Sequence, residues 1–309
     1  MDRRRPISAP TMLLVMSLLV VVLISGCGSS TSIAADRTDP SLAGEESTTS
    51  SSSMTPPTAP STSSDAVPAN ESPTAAPTPT IAPHLPRPLS PGLAGKVIVI
   101  DAGHNGGNAS HLSEINRLVD AGNGVTKACD TTGTGSFDGY PEYAFTLAVA
   151  ERLAGVLRAA GSQVVMIRED SSGWGPCITE RARIGNEAGA DLAISIHGDG
   201  NDAPGARGFH VLIPAATAQN AVMVPAAQRF GALLRDSFTT TGMPVSNYLG
   251  SGGLMLRGDL GGLNLSTVPK VFIECGNMHN AEDLALMRSD GFQQNAADAI
   301  ATAMGAFFD

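Results

Sequence analysis

Aromatic side chains are scarce: 9 Phe, 3 Tyr and 1 Trp make 4% of 309 residues, and none precedes Phe137. The first part of the chain therefore lacks the large rings that dominate core energetics. Basic charge is also short, with 19 Lys and Arg against 29 Asp and Glu and a net charge of -10. No basic stripe is visible, which argues against nucleic-acid binding, because phosphate neutralisation needs clustered Lys and Arg. The surface is equally unsuited to holding anionic lipid by charge. No heptad, collagen-like repeat or set of long apolar runs is present, so a coiled coil, a collagen and a polytopic membrane protein are excluded. Proline, by contrast, is crowded to one end: 14 of 21 fall in the first 91 residues. Length alone suggests roughly two domains, but these asymmetries indicate one folded unit behind a non-globular leader.

The leader reads as an address. Arg3, Arg4 and Arg5 precede an apolar stretch from Met12 to Ile24, too short to span a bilayer comfortably and suited to a signal peptide. It ends in Leu23-Ile24-Ser25-Gly26-Cys27, which resembles a bacterial lipobox. The expectation is a lipoprotein signal peptide over 1–26 and lipidation of Cys27, with more than one acyl chain giving stable anchoring; the plainer alternative is an ordinary cleaved signal. Residues 27–92 are dominated by Ser, Thr, Pro and Ala, a disordered linker composition. The protein is thus expected to be exported and held at the outer face of the cytoplasmic membrane, or in a periplasm-like space.

Residues 93–309 hold the folded domain. Val97 to Ile100 is a β-branched run ending in Asp101 and reads as a buried parallel strand. Tyr143 to Ala160 is helical and stops at Gly161. Strands are expected at 163–168, 191–196, 208–213 and 270–274, with helices at 179–188, 224–241, 281–287 and 293–308. Strands alternating with helices predict one α/β domain of phosphorylase/hydrolase-like kind, with a twisted, mostly parallel or mixed sheet flanked by helices on both faces.

Ligand sites in such sheets lie beyond the carboxyl ends of the strands. His104 follows the first strand, His197 the third and Glu274 the last, while Glu142 opens the first long helix. A lone strand-end histidine is more often structural, and a glutamate in a first helical turn is favourable there anyway. Together, two histidines and a carboxylate make a catalytic zinc set with an open position for water, and a further carboxylate can move protons.

The segments Ile100 to His104, Tyr140-Pro141-Glu142, Ile194 to Asp199 and Phe272 to Asn277 together resemble the zinc-dependent N-acetylmuramoyl-L-alanine amidases of the amidase-3 family. The resemblance covers about 95–308. It is strongest to the small mycobacterial members, through Gly139 to Glu142, Gly175-Pro176-Cys177, Ala206 to His210 and Asp259 to Asn264. It implies one Zn2+ held by His104, Glu142 and His197, with Glu274 as catalytic carboxylate cutting the amide between N-acetylmuramic acid and L-alanine in peptidoglycan. Another zinc peptidase or amidase, or a non-catalytic peptidoglycan-binding lipoprotein, are the alternatives.

Arg257 is a candidate for the carboxylates of the stem peptide, against a solvated loop arginine. His210 reads as structural. Cys275 follows Glu274 where the family usually carries an apolar residue, and reads as a buried, free thiol. Cys129 and Cys177 remain, both in loops of an exported domain, so a disulfide is expected. The segment 105–139 is long and glycine-rich for a strand-to-helix connection and is a candidate wall of the cleft; 113–119 is a candidate short helix. A monomer is expected.

Overall fold

The computed structural model describes residues 90–309; the signal, Cys27 and almost all of the linker lie outside the described residues. Pro91–Leu93 forms a 3-10 turn with Leu93 fully buried, and Ser90 Oγ accepts from Gly92 N.

In chain order the elements are β1 Val97–Ala102, α1 Leu112–Ile115, β2 Leu118–Asp120, β3 Thr126–Ala128, α2 Glu142–Ala159, β4 Gln163–Met166, α3 Ile178–Glu187, β5 Leu192–Asp199, β6 His210–Pro214, α4 Val224–Phe238, β7 Leu254–Arg257, α5 Gly261–Asn264, β8 Lys270–Asn277, α6 Ala281–Met287 and α7 Asp290–Phe308. Six strands form one sheet in the order β4-β1-β5-β8-β6-β7. All neighbours are parallel except β6 and β8, which run antiparallel. The main expected strands and helices are present, with ends displaced by a few residues. Helix α3 begins at Ile178 with Cys177 in the cap position, not at the Thr179 the sequence suggested.

The strand alternation sorts the core. Ile98, Ile100 and Ala102 of β1 face a large cluster with α2, α4 and α7, including Phe145, Phe230, Phe238 and Phe292. Val99 and Ala193 face the opposite side, where α3 lies. On that second face the next side chains along the strands are polar apart from Phe272. Asp101 registers with Ser195, Ser195 with Phe272, and His197 with Glu274, so this face carries the chemistry at the strand ends.

The segment 105–139 is structured. It contains α1 and the antiparallel β2–β3 hairpin; the helix expected over 113–119 is a single turn, followed by β2. A disulfide joins Cys129, just past the hairpin, to Cys177 at the start of α3. Cys275 is free and buried. Closing a loop of 48 residues is worth about 4 kcal/mol in the chain-entropy picture. A Cys129→Ser/Cys177→Ser variant is therefore expected to remain folded but to lose about 3–4 kcal/mol in urea unfolding; unchanged stability would contradict this role.

Candidate active site

Three side chains meet at the carboxyl edge of the sheet. His104 follows β1, Glu142 is the first residue of α2, and His197 lies near the end of β5. Each offers one ligand atom, and these atoms all lie within 4.8 Å of one another. Glu142 sits between the rings: Oε2 is 3.3 Å from His104 Nε2 and Oε1 is 3.0 Å from His197 Nδ1. Backbone N–H groups of Thr134 and Gly198 also donate to Glu142, as suits a buried carboxylate. His104 has φ of 57°, the left-handed region that L residues rarely enter. Gly103 lets the chain pass here, because a Cβ on it would sit 2.3 Å from the His197 ring.

The far nitrogens of both rings are also held. Ser195 Oγ lies 3.0 Å from Asp101 Oδ2 and 3.2 Å from His197 Nε2. With its hydrogen given to the carboxylate, the hydroxyl accepts from Nε2–H, which leaves Nδ1 as the ligand atom. His104 Nδ1 lies 3.3 Å from Asp130 Oδ1 and 3.2 Å from the Thr131 carbonyl, which leaves Nε2 for the ligand role. One guanidinium joins the two arms: Arg181 reaches Asp101 at 2.7 Å and Asp130 at 3.0 Å, and Lys270 adds a second cation at 2.9 Å from Asp101. All four are buried. Arg181 also donates to the carbonyls of Ala102, His104, Gly175 and Pro176.

The electrostatics follow. Burial works against the Asp101 carboxylate, but Lys270 and Arg181 hold its pKa far below the ordinary range. Burial likewise disfavours charge on His104, yet the Glu142 and Asp130 carboxylates raise its pKa to about 10. The site thus attracts positive charge between its ligands. Glu274 goes the other way: burial, then the nearby Glu142 and Asp199 carboxylates, raise its pKa well above the usual value. Its Oε2 is buried without a hydrogen-bond partner.

A cavity of about 370 Å³ opens from this edge over the α3 and α5 side. Glu274, His104 and His197 line one end; Ile178, Leu260 and Phe272 form apolar wall; Lys127 and Arg257 bring positive charge. Arg257 is not a free loop cation. Its Nε and one Nη donate to Asp259, which also pairs with Lys127. His210 is buried opposite Glu274 in the β6–β8 register, and burial lowers its pKa.

Two imidazoles and a carboxylate within bonding reach of one point fit a tetrahedral divalent cation with an open position. The pattern named Amidase_3, N-acetylmuramoyl-L-alanine amidase, matches residues 98–306. The chain belongs to this family. It is a hydrolase that acts on the amide bond between N-acetylmuramic acid and L-alanine in peptidoglycan. Amidase Rv3717 of Mycobacterium tuberculosis is 39% identical over 233 residues, which cover 75% of this chain and 94% of that protein. The crystal structure of Ami1 from Mycobacterium smegmatis is 40% identical with a TM-score of 0.66, covering 70% of this chain and 98% of that one. Apo Ami1 from Mycobacterium abscessus is 41% identical with a TM-score of 0.66, covering 70% and 100%. A cell-wall substrate and a disulfide both place the domain outside the reducing cytoplasm.

The sequence reading brought His104, Glu142, His197 and Glu274 to one edge but passed over Asp101, Asp130, Arg181, Ser195 and Lys270. One signal for Arg181 was available: it falls on the apolar stripe of α3 beside Ala182 and Gly185, where a solvated arginine does not belong.

Two outcomes are expected. Arg181→Met, which strands two buried carboxylates, should lower stability by about 3–5 kcal/mol. Because the folded pKa of Asp101 and of Asp130 lies below its unfolded value, their stabilisation is present above about pH 4 and is lost as pH falls below that. Urea midpoints measured from pH 7 to pH 2 should fall steeply below pH 4; a flat profile would show that the network contributes nothing to acid stability.

Proposed function

We propose that the amidase is a zinc enzyme in which His104, Glu142 and His197 hold one Zn2+ and Glu274 is the catalytic carboxylate. The observation that carries this reading is the clustering of three ligand atoms within 4.8 Å beside a buried carboxyl oxygen that has no partner. Zinc at such a set contributes Lewis acidity, which polarises an amide carbonyl and makes a nucleophilic oxygen available near neutral pH.

The chain's own residues do the rest. Glu274, its pKa raised by burial, takes the proton of the attacking water and passes it to the departing L-alanine amine. Ser195 and Asp130 keep the two imidazoles turned toward Glu142. The apolar wall of Ile178, Leu260 and Phe272 excludes water from the stem peptide. Arg257 meets a carboxylate of that peptide through the Nη not engaged by Asp259, and its guanidinium stays oriented because Asp259 grips its other side.

The same proposal extends to the leader. Residues 1–26 direct export, Cys27 carries the lipid that anchors the protein to the membrane, and 27–92 tether a monomeric domain at a distance suited to the wall. Support comes from the order of Arg3 to Arg5, the apolar run to Ile24 and Ser25-Gly26-Cys27.

The test is product analysis on a defined muropeptide. Wild-type protein should release the free stem peptide and intact sugar, and a chelator should abolish this until zinc is returned. Glu274→Gln should lower turnover by about 10²–10⁴-fold while still binding zinc. Chelator-insensitive cleavage would overturn the zinc assignment, and full activity in Glu274→Gln would overturn the role of that carboxylate.

A further inference from the structure

The cavity lies on the α3 and α5 side of the sheet edge, and the scissile bond has a sugar on one side and a peptide on the other. Residues 134–141, the last part of the segment leading into α2, do not line that cavity. There Phe137 is 81% exposed, the most exposed of the large apolar side chains among the described residues apart from Val222. It is not a loose ring. It stacks on His279 with centroids 4.5 Å apart and planes at 29°. His279, just past β8, is clamped by Asp202 at 2.7 Å, the Gly135 carbonyl at 3.0 Å and Thr134 Oγ at 3.3 Å. Thr134 in turn donates its backbone N–H to Glu142 at 2.8 Å, so the stacked pair is connected to the ligand cluster through one residue. The neighbouring Asp138 is held by Arg288 at the end of α6, which places this segment on the α6 side of the edge.

We propose that Phe137, backed by His279, is a stacking platform for an N-acetylhexosamine ring of the glycan strand, so that glycan and stem peptide leave the reacting bond over opposite rims. The proposal rests on the amidase reading and on the position of the ligand cluster. A ring stacked on a hydrogen-bonded imidazole is partly oriented before binding, which lowers the conformational cost of presenting its flat apolar face. A pyranose offers a matching face of C–H groups. Polar groups complete the rim. Carboxylates of Asp138, paired with Arg288, and of Asp202, paired with His279, flank the platform, and the hydroxyl and acetamido groups of a glycan find acceptors there. Lys127 and Arg257 line the cavity.

Phe137→Ala removes an exposed ring and should fold normally, with an unchanged circular dichroism spectrum and melting temperature. Two substrates with the same stem peptide separate the possibilities: one carries the disaccharide, the other only D-lactate on L-alanine. With Phe137→Ala, KM for the disaccharide peptide should rise about five- to tenfold with kcat within about twofold, and kcat/KM for the lactyl peptide should not change. Phe137→Trp should restore the first value. A peptide-free N-acetylglucosamine tetramer should inhibit the wild type competitively and the Ala variant about five- to tenfold more weakly. Equal losses on both substrates, or no loss on either, would overturn the platform while leaving the amidase reading intact. Failure of the wild type to cut the disaccharide peptide would overturn that reading itself.

Discussion

The arrangement depends on one buried guanidinium. Arg181 sits on the inner face of α3 between Asp101 of β1 and Asp130 of the segment after the hairpin. Taken alone, two carboxylates buried beside a sheet would repel each other and resist desolvation. With Arg181 between them and Lys270 on the outer side, they become fixed acceptors from which the histidines are hung. Asp101 orients His197 through Ser195, and Asp130 faces His104 directly. The two ligand rings thereby come from different strands yet answer to the same cation. The disulfide between Cys129 and Cys177 brackets this contact, since its ends are next to Asp130 and the start of α3.

That network sets the polarity of the edge. Buried positive charge at Arg181 of α3 and Lys270 of β8 is matched by Asp101 and Asp130, which support the two histidines from behind. Glu142 and Asp130 then make the cluster a place where a cation is welcome, while burial together with Glu142 and Asp199 raises the pKa of Glu274. Outside the cluster the charged groups are paired on both sides: Asp259 holds Lys127 and Arg257 at the cavity, and beside Phe137 Asp138 holds Arg288 while Asp202 bonds His279.

Much of this was legible in the sequence, for a physical reason. Central parallel strands are buried on both faces, so Val97 to Ile100 and Leu192 to Ile196 stand out as apolar runs, and the polar residues that follow them must lie at the ligand edge. Glu142 could be placed because Pro141 precedes the first helical residue. The hairpin β2–β3 left no such trace: its side chains are half-buried or exposed, without the alternation of a strand with one covered face. Strand β7 is four residues long at the sheet edge and follows a glycine-rich turn, which hides it equally well. Arg257 reads as a candidate for the peptide's carboxylates, against a solvated loop arginine; its pairing with Asp259 two residues away depends on strand-end geometry that the sequence does not display. Residues 1–89 carry their own message in composition alone.

The central claim is that a divalent ion sits among His104, Glu142 and His197 while Glu274 stays unliganded beside it. A crystal of the domain grown with zinc, with diffraction data collected on both sides of the zinc absorption edge, tests this most directly. The account predicts one anomalous peak bonded to His104 Nε2, a Glu142 carboxylate oxygen and His197 Nδ1, with Ser195 and Asp130 still holding the far ring nitrogens. A peak bonded to Glu274 in place of Glu142, or zinc bound only elsewhere on the domain, would contradict it.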